Sequence, residues 1–267
     1  MKHCFAVSAY GESPYLEECI KALKVQSVKT DIIICTSTPN ALIKSVADEY
    51  EIPLYVRQGA SSLKDDWNYC VETAAHERAA ELVTIAHQDD VYRPDYAKYL
   101  LDAARRYPDM SVFCTRLTTI DKDDNELKTE SELVKRLLRL PLRLRFLSGT
   151  RLIKRLPLIF GNGMACPSCS YNVRLTGLPI FRNNYLFVID WDTLLRLSER
   201  KGRFICEEKE LLFYRVHDGA ETKKNIKDHN REHEERMIFS KLWPRPVVAL
   251  LMHFYKKAYK DYDTDTD

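Results

Sequence analysis

In ELVTIAHQDDVY, Glu81 to Tyr92, the apolar residues Leu82, Val83, Ile85 and Ala86 read as a buried strand, and His87, Gln88, Asp89 and Asp90 follow at once. Adjacent carboxylates repel each other and resist desolvation, so a purely structural loop has little reason to pair them. A hard divalent cation such as Mg2+ or Mn2+ supplies a reason, because it takes oxygen ligands and bridges readily to phosphates. The alternative is a helix N-cap with a solvated neighbour, but Arg93 and Asp95 lie closer to the helix start that Pro94 marks. Spacing favours the metal.

Other chemically capable residues have plainer readings. Asp190 and Asp192, in FVIDWDTLLRL, open a helical pattern, and taken alone they cap and charge its N-terminus. His217 in FYRVHDG is a lone histidine, which by itself reads as a surface or satisfied residue. CPSC, Cys166 to Cys169, would need to open a helix to act as a redox dithiol, or a second ligand pair to hold zinc; it reads as structural. HNREH, His229 to His233, matches a metalloprotease pattern but lies in a charged run with few apolar residues, and so reads as a solvated helix face.

The elements alternate. Strands are expected over HCFAVSA, DIIICTS, PLYVRQ, ELVTIA and MSVFCTRL, with helices between them from SPYLEECIKALKVQ to PDYAKYLLDAARRY. Such alternation predicts an α/β fold with a mostly parallel sheet and helices on both faces. Ligands in these sheets bind beyond the carboxyl ends of the strands, where Asp89 and Asp90 lie. The second half is less regular: a basic, leucine-rich stretch from Leu133 to Arg155, broken by Pro141, then a loop around FGNGMACPSCSYN. A helix over 190–202, a strand pair RFICEE and ELLFYRVH, and two helices near 226–241 and 246–260 complete it, with DYDTDTD as a frayed tail.

Composition excludes several classes. With 45% hydrophobic and 30% charged residues, 8 glycines and 11 prolines, the 267-residue chain is neither collagenous, repetitive nor generally disordered. A formal net charge of +2 argues against a nucleic-acid partner. The first apolar run is too short for a signal peptide, and no apolar segment approaches the roughly 20 residues that span a bilayer, so a cytoplasmic protein is expected. Cys4, Cys35 and Cys114 sit within apolar strand candidates as small buried hydrophobes.

AVSAYGESPYLEECIKALKVQS, DIIICTST, LVTIAHQDDVYRPDY, VIDWDTLLRL and LLFYRVHDG follow the order seen in family 2 glycosyltransferases of the GT-A fold, a resemblance covering roughly residues 3 to 220. It implies a nucleotide-sugar-dependent, inverting transferase on a GT-A-type sheet, with Mn2+ or Mg2+ as cofactor. The family's Asp-x-Asp motif, which holds the metal and donor diphosphate, reads here His87-Gln88-Asp89, followed by Asp90. Asp89 falls on the metal position, with Asp90 as a further candidate ligand, and His87 replaces the Asp on the ribose side. The family's Glu-Asp pair reads Ile189-Asp190, so Asp190 matches the catalytic base, with Trp191 and Asp192 on the acceptor side. His217 matches a late histidine that completes the metal shell or reaches the diphosphate. Donor contacts are expected from Ala9, Tyr10 and Glu12 after the first strand, Thr36 and Ser37 after the second, the polar pair Asp66 and Asn68, and His87 and Gln88.

The resemblance divides the chain into a glycosyltransferase domain over residues 1–220 and a helical C-terminal extension over 221–267. Within the domain lie a donor half, 1–118, and a basic acceptor-side segment, 130–189. From Leu133 to Ile189 there is no Asp or Glu but a series of Lys and Arg, with leucines at near-helical spacing. Such a segment is either an amphipathic helical pair or a docking surface for the anionic inner leaflet, admitting a glycan or lipid-linked acceptor. The resemblance points to a donor linked to UDP and to bacterial surface-polysaccharide or lipid-linked glycan assembly. Two rival functions remain: a nucleotidyltransferase that makes nucleotide-sugars, and a non-catalytic binding relative.

Overall fold

The computed structural model describes residues 1–217, 219, 228 and 230–257. Strands β1 (His3–Ala9), β2 (Asp31–Thr36), β3 (Leu54–Val56) and β4 (Leu82–His87) form a parallel block in the order β3-β2-β1-β4. Helices α1 (Leu16–Lys24), α2 (Ala41–Glu49) and α3 (Leu63–Glu77) are its crossovers. The period-two geometry of β1 divides its side chains between two cores. Cys4 and Ala6 pack with Trp67 and Val71 of α3, while Phe5 and Val7 pack with Leu16 and Ile20 of α1. The helices begin where polar caps allow: Asn40 accepts from the Ile43 amide and Ser62 from the Asp65 amide.

Next come β5 (Val91–Tyr92), α4 (Tyr96–Arg106), β6 (Met110–Ile120), β7 (Glu126–Leu127), α5 (Glu130–Arg139) and α6 (Arg151–Ile159). They are followed by β8 (Cys169–Asn172), α7 (Val173–Thr176), α8 (Ile189–Ser198), β9 (Arg203–Arg215), α9 (Asn230–Leu242) and α10 (Arg245–Lys257). The sheet has nine strands, and beyond β4 its directions are mixed. The loop expected around CPSC ends instead in β8, which runs antiparallel to both β4 and β6. Four residues, CSYN, are too few to show a period. Cys166 starts a single 3₁₀ turn ahead of β8, and its thiol and that of Cys169 are free and buried.

The expected strand pair is a single strand. β9 runs unbroken for 13 residues beside β6, and register shifts around Thr115 to Leu117 absorb the polar EEKE within it. α9 and α10 share the main core: Ile238, Phe239, Val248 and Met252 join the cluster that contains Trp191 and Leu194. The charged face expected over HNREH is only partly solvated, since Arg231, Glu234 and Glu235 are buried; His229 lies outside the described residues, as do 220–227 and 258–267.

The basic segment forms two helices around a 3₁₀ turn at Leu140–Arg143. Its charge is largely matched by acids elsewhere: Arg143 pairs with Glu208, Arg151 and Arg155 with Glu199, and Arg174 with Glu81. Arg139 and Lys154 are buried, donating to the carbonyls of Gly163 and Gly202, so neither reaches a lipid surface. The exposed apolar stripe remains. Leu133, Leu137 and Leu140 lie at i, i+4 and i+7 and are exposed, as are Leu144 and Phe146 beyond them. Among the described residues no helix is long and apolar enough to cross a membrane.

Candidate active site

The carboxyl ends of β1 and β4 open into a cavity of about 1440 Å3. β4 ends in a tight turn in which the Asp90 amide donates to the His87 carbonyl at 3.2 Å. That turn brings three candidate ligands together: His87, Asp89 and Asp90 can each place a ligand atom within 4.8 Å of the other two. Asp90 is fully buried; its Oδ1 accepts the Arg215 amide at 3.0 Å and its Oδ2 has no hydrogen-bond partner. Burial, and then the Asp89 charge, push the Asp90 carboxyl well above its ordinary range. Burial acts the same way on Asp89 and is the largest single influence there, but the His217 hydrogen bond and the His87 and His217 charges together hold Asp89 below its ordinary value.

Arg215 buttresses this turn. Its Nε donates to the Asp89 carbonyl at 3.1 Å, its Nη2 to Glu18 at 2.7 Å, and its guanidinium lies 4.4 Å from the Tyr15 ring centre. One buried residue therefore holds both acids, its guanidinium the Asp89 carbonyl and its backbone amide the Asp90 carboxylate. His217 reaches Asp89 from the other side, Nε2 to Oδ2 at 3.0 Å, but stands outside the three-residue ligand group. A buried acid with an orphaned oxygen beside a half-buried one forms a donor set that suits a divalent cation, which would supply the partner Asp90 Oδ2 lacks.

Asp190 lines the same cavity from the first turn of α8. Its Oδ1 accepts the Trp191 amide at 2.7 Å and its Oδ2 accepts the Asn162 side-chain amide at 2.9 Å. Desolvation dominates these bonds and pushes its pKa up to about 6. The chain just ahead of Asp190 is held from α9: Glu234 accepts the amides of Leu186 and Phe187, each at 2.8 Å, and of Val188 at 3.2 Å. Three donors just ahead of α8 thus end on one carboxylate.

Several expected donor residues line the cavity: Tyr10, Glu12, Asp66, His87, Gln88 and Asp89. Gln88 brackets the Tyr10 backbone, accepting its amide at 3.0 Å and donating to its carbonyl at 2.8 Å, so the loops after β1 and β4 are tied together. Asp66 is held by Arg57 at 2.7 Å and by the hydroxyls of Ser37 and Ser61. Other expected residues do not face the cavity. Ala9 is in the core beside α1, Thr36 is buried with its hydroxyl accepting the Thr38 amide, and Ser37 turns to Asp66. Asn68 exchanges hydrogen bonds with the Phe181 backbone in both directions, a structural clamp. On the acceptor side, Asp192 faces away and pairs with Lys241, while Trp191 does line the cavity, though it is nearly fully buried, with its indole donating to the Leu158 carbonyl and its ring packed on Phe239.

Arg215, Asn162 and Glu234 are positions that sequence reasoning missed. Arg215 stands within the FYRVH segment, where a basic residue among strand residues signals a buried partner or an edge. Asn162 lies between two glycines and reads only as a turn residue. Glu234 sits in a charged run.

The family model described as Glycosyl transferase family 2 matches residues 4–168 of the chain. No curated protein matches its sequence. Among solved structures, residues 1–349 of S. aureus TarS in complex with UDP-GlcNAc are similar at 14% identity and a TM-score of 0.62, over 89% of this chain and 65% of that one. A mannosyltransferase from Pyrobaculum calidifontis in complex with GDP-Man and Mn2+ is similar at 13% identity and a TM-score of 0.59, over 97% and 69% of the two chains. Glucosyl-3-phosphoglycerate synthase from Mycobacterium tuberculosis, in complex with Mn2+ and UDP-glucose, gives 11%, 0.55, 88% and 77%. Identities this low establish likeness of fold.

Proposed function

The chain belongs to glycosyl transferase family 2 and has the GT-A fold, and on that premise we propose that it moves a sugar from a nucleotide-sugar to a hydroxyl acceptor in one inverting, metal-assisted displacement. The observation that carries this reading is the placement of two unlike carboxylate centres on one cavity. Asp89, on the cavity wall, and the buried Asp90 behind it form a cation site held by Arg215, and Asp190 is a carboxylate tuned upward by burial. The pair divides labour: one centre faces the leaving diphosphate and the other the incoming hydroxyl.

Asp190 takes the acceptor proton as the acceptor oxygen attacks the anomeric carbon from the face opposite the leaving group. A pKa near 6 makes it a better base than an ordinary carboxylate while leaving it ionised at neutral pH. Asn162 and the Trp191 amide hold both its oxygens in place. A divalent cation bound at Asp89 supplies Lewis-acid stabilisation of charge on the departing diphosphate. Gln88 and Tyr10 fix the loops on which the nucleotide rests. The UDP-GlcNAc and UDP-glucose bound by two of the similar structures support a UDP-linked donor. The test is product release from the purified protein with a panel of nucleotide-sugars. Nucleoside diphosphate is expected; pyrophosphate would indicate a nucleotidyltransferase, and tight nucleotide binding with no product would indicate a non-catalytic relative.

Glu234 provides a second check. Glu234→Ala orphans three amides directly ahead of Asp190, and a displacement near 1 Å at a reacting group costs roughly a hundredfold in rate. The expected result is a kcat lowered roughly ten- to a hundredfold with an unchanged KM for the donor. An unchanged kcat would remove Glu234 from the positioning of the base.

The acceptor we assign is lipid-linked, in bacterial surface-polysaccharide or lipid-linked glycan assembly at the cytoplasmic leaflet. Support comes from α5, whose Val134 and Leu138 line the cavity while Leu133 and Leu137, on the next stripe, face solvent. Since most bases of the segment are already paired, apolar insertion dominates and charge adds a smaller part. Co-sedimentation with anionic vesicles is expected for the wild type and lost in Leu137→Ser/Phe146→Ser. Equal recovery of both proteins, or of neither, counts against docking through this face.

A further inference from the structure

We propose that His87 is itself a metal ligand, which makes the centre a nitrogen-plus-carboxylate site that prefers Mn2+ and Co2+ to Mg2+. This rests on the functional reading above only for the presence of a cation.

The geometry starts from two atoms that lack partners. Burial deprives both His87 Nε2 and Asp90 Oδ2 of water, and neither makes a hydrogen bond. A buried polar atom without a partner costs roughly 1–3 kcal/mol, and Asp90 Oδ2, which His87 Nδ1 faces at 4.0 Å, calls for a guest shared with that ring. His87, Asp89 and Asp90 offer ligand atoms within 4.8 Å of one another, roughly the span of two metal–ligand bonds. Asp90 is fully buried and its Oδ1 is committed to the Arg215 amide, so Oδ2 is the oxygen left to bind. The imidazole is held by packing: Trp67 stacks on it at 5.4 Å with the planes 22° apart. A ring fixed by its face keeps the in-plane lone pair of a nitrogen for another partner.

The residue type sets the preference. Mg2+ demands oxygen ligands in near-ideal octahedral geometry and dehydrates reluctantly. Imidazole nitrogen suits transition ions, whose affinity for mixed nitrogen and oxygen sites rises from Mn2+ to Co2+ and beyond. A carboxylate in place of His87 would add charge and a hard oxygen, favouring Mg2+. His217, by contrast, is hydrogen bonded to Asp89 and acts through it, orienting that carboxylate from behind.

The experiment measures Mg2+, Mn2+ and Co2+ affinity by calorimetry on the full chain without nucleotide, for wild type, His87→Asp, His87→Asn and His217→Gln. The expected result is a Co2+/Mg2+ affinity ratio that falls at least about tenfold in both His87 variants. Spin-echo modulation of bound Mn2+ provides the second readout. Coupling to a ligand 14N is expected in wild type and His217→Gln and absent in His87→Asn. An unchanged ratio in both His87 variants, or 14N coupling that survives His87→Asn, overturns the assignment. Because no donor is present, a protein that transfers no sugar leaves this result standing. A competent transferase with an unchanged metal ratio overturns this inference alone.

Discussion

Asp190→Asn is expected to lower sugar transfer by roughly two to four orders of magnitude while nucleotide binding stays at its wild-type strength. The amide keeps the size of the carboxylate and can still accept the Trp191 amide, but it cannot take a proton from a hydroxyl. Stability supplies an independent signature. The folded carboxyl holds its proton up to about 6, against 3.8 for the unperturbed group. Between those values the folded state binds more protons than the unfolded one, so wild-type stability falls as pH rises through the window. The amide has no such dependence. Relative to wild type the variant therefore gains roughly 2–3 kcal/mol between about pH 4 and pH 7, on top of any constant cost of turning the Asn162 amide. Wild-type kcat should rise with pH through the same region, since only the ionised form is a base. Loss of donor binding in step with a pH-independent loss of stability would make Asp190 a helix cap and no more.

The parallel half of the fold was legible because both of its periodicities are long. β1, β2 and β4 are buried runs, and the helices between them carry apolar faces that the spacing declares. β8 was not legible: its place between β4 and β6 is decided by tertiary pairing, and four residues of mixed polarity carry no period. β9 looked like two strands because polar Glu207 to Glu210 interrupt the apolar pattern, and only the bulged register against β6 shows how the strand passes through. The charge of the basic segment misled for a related reason. Sequence counts acids near in the chain, whereas Glu199 and Glu208 are near in space.

Within the site, the strand-end logic located Asp89 and Asp90 without any family. Asp190 could not be separated from a helix cap by spacing, and what distinguishes it is its burial beside Asn162, a contact made across 28 residues of chain. Thr36 and Ser37 illustrate a finer limit. Being at a strand end places a residue at the edge of a cavity, but the direction of its side chain depends on what the next loop asks of it. Here the Thr38 amide and Asp66 ask first. Asn68, on α3, is likewise taken by the backbone of Phe181, which lies more than a hundred residues away in sequence.

Asp89→Asn is the other large effect, and its argument turns on charge. The substitution removes the carboxylate most exposed to the cavity within the cation site and should cost transfer roughly two to three orders of magnitude or more. The fold should survive, because Arg215 is bonded to the Asp89 carbonyl and an amide oxygen can still accept from His217. Metal-linked stabilisation gives the direct measure. At a metal concentration about 100 times Kd, wild type gains roughly 2.7 kcal/mol, and a hundredfold loss of affinity leaves about 0.4 kcal/mol. One compensation is built in: the Asp89 charge is, after burial, among the causes that raise the Asp90 pKa, so its removal lowers that pKa and strengthens the hold of Asp90 itself on the cation. Residual metal binding in Asp89→Asn should therefore disappear in Asp89→Asn/Asp90→Asn. Full turnover together with undiminished Mn2+ stabilisation in the double variant would show that the catalytic cation, if the enzyme uses one, is held somewhere other than the end of β4.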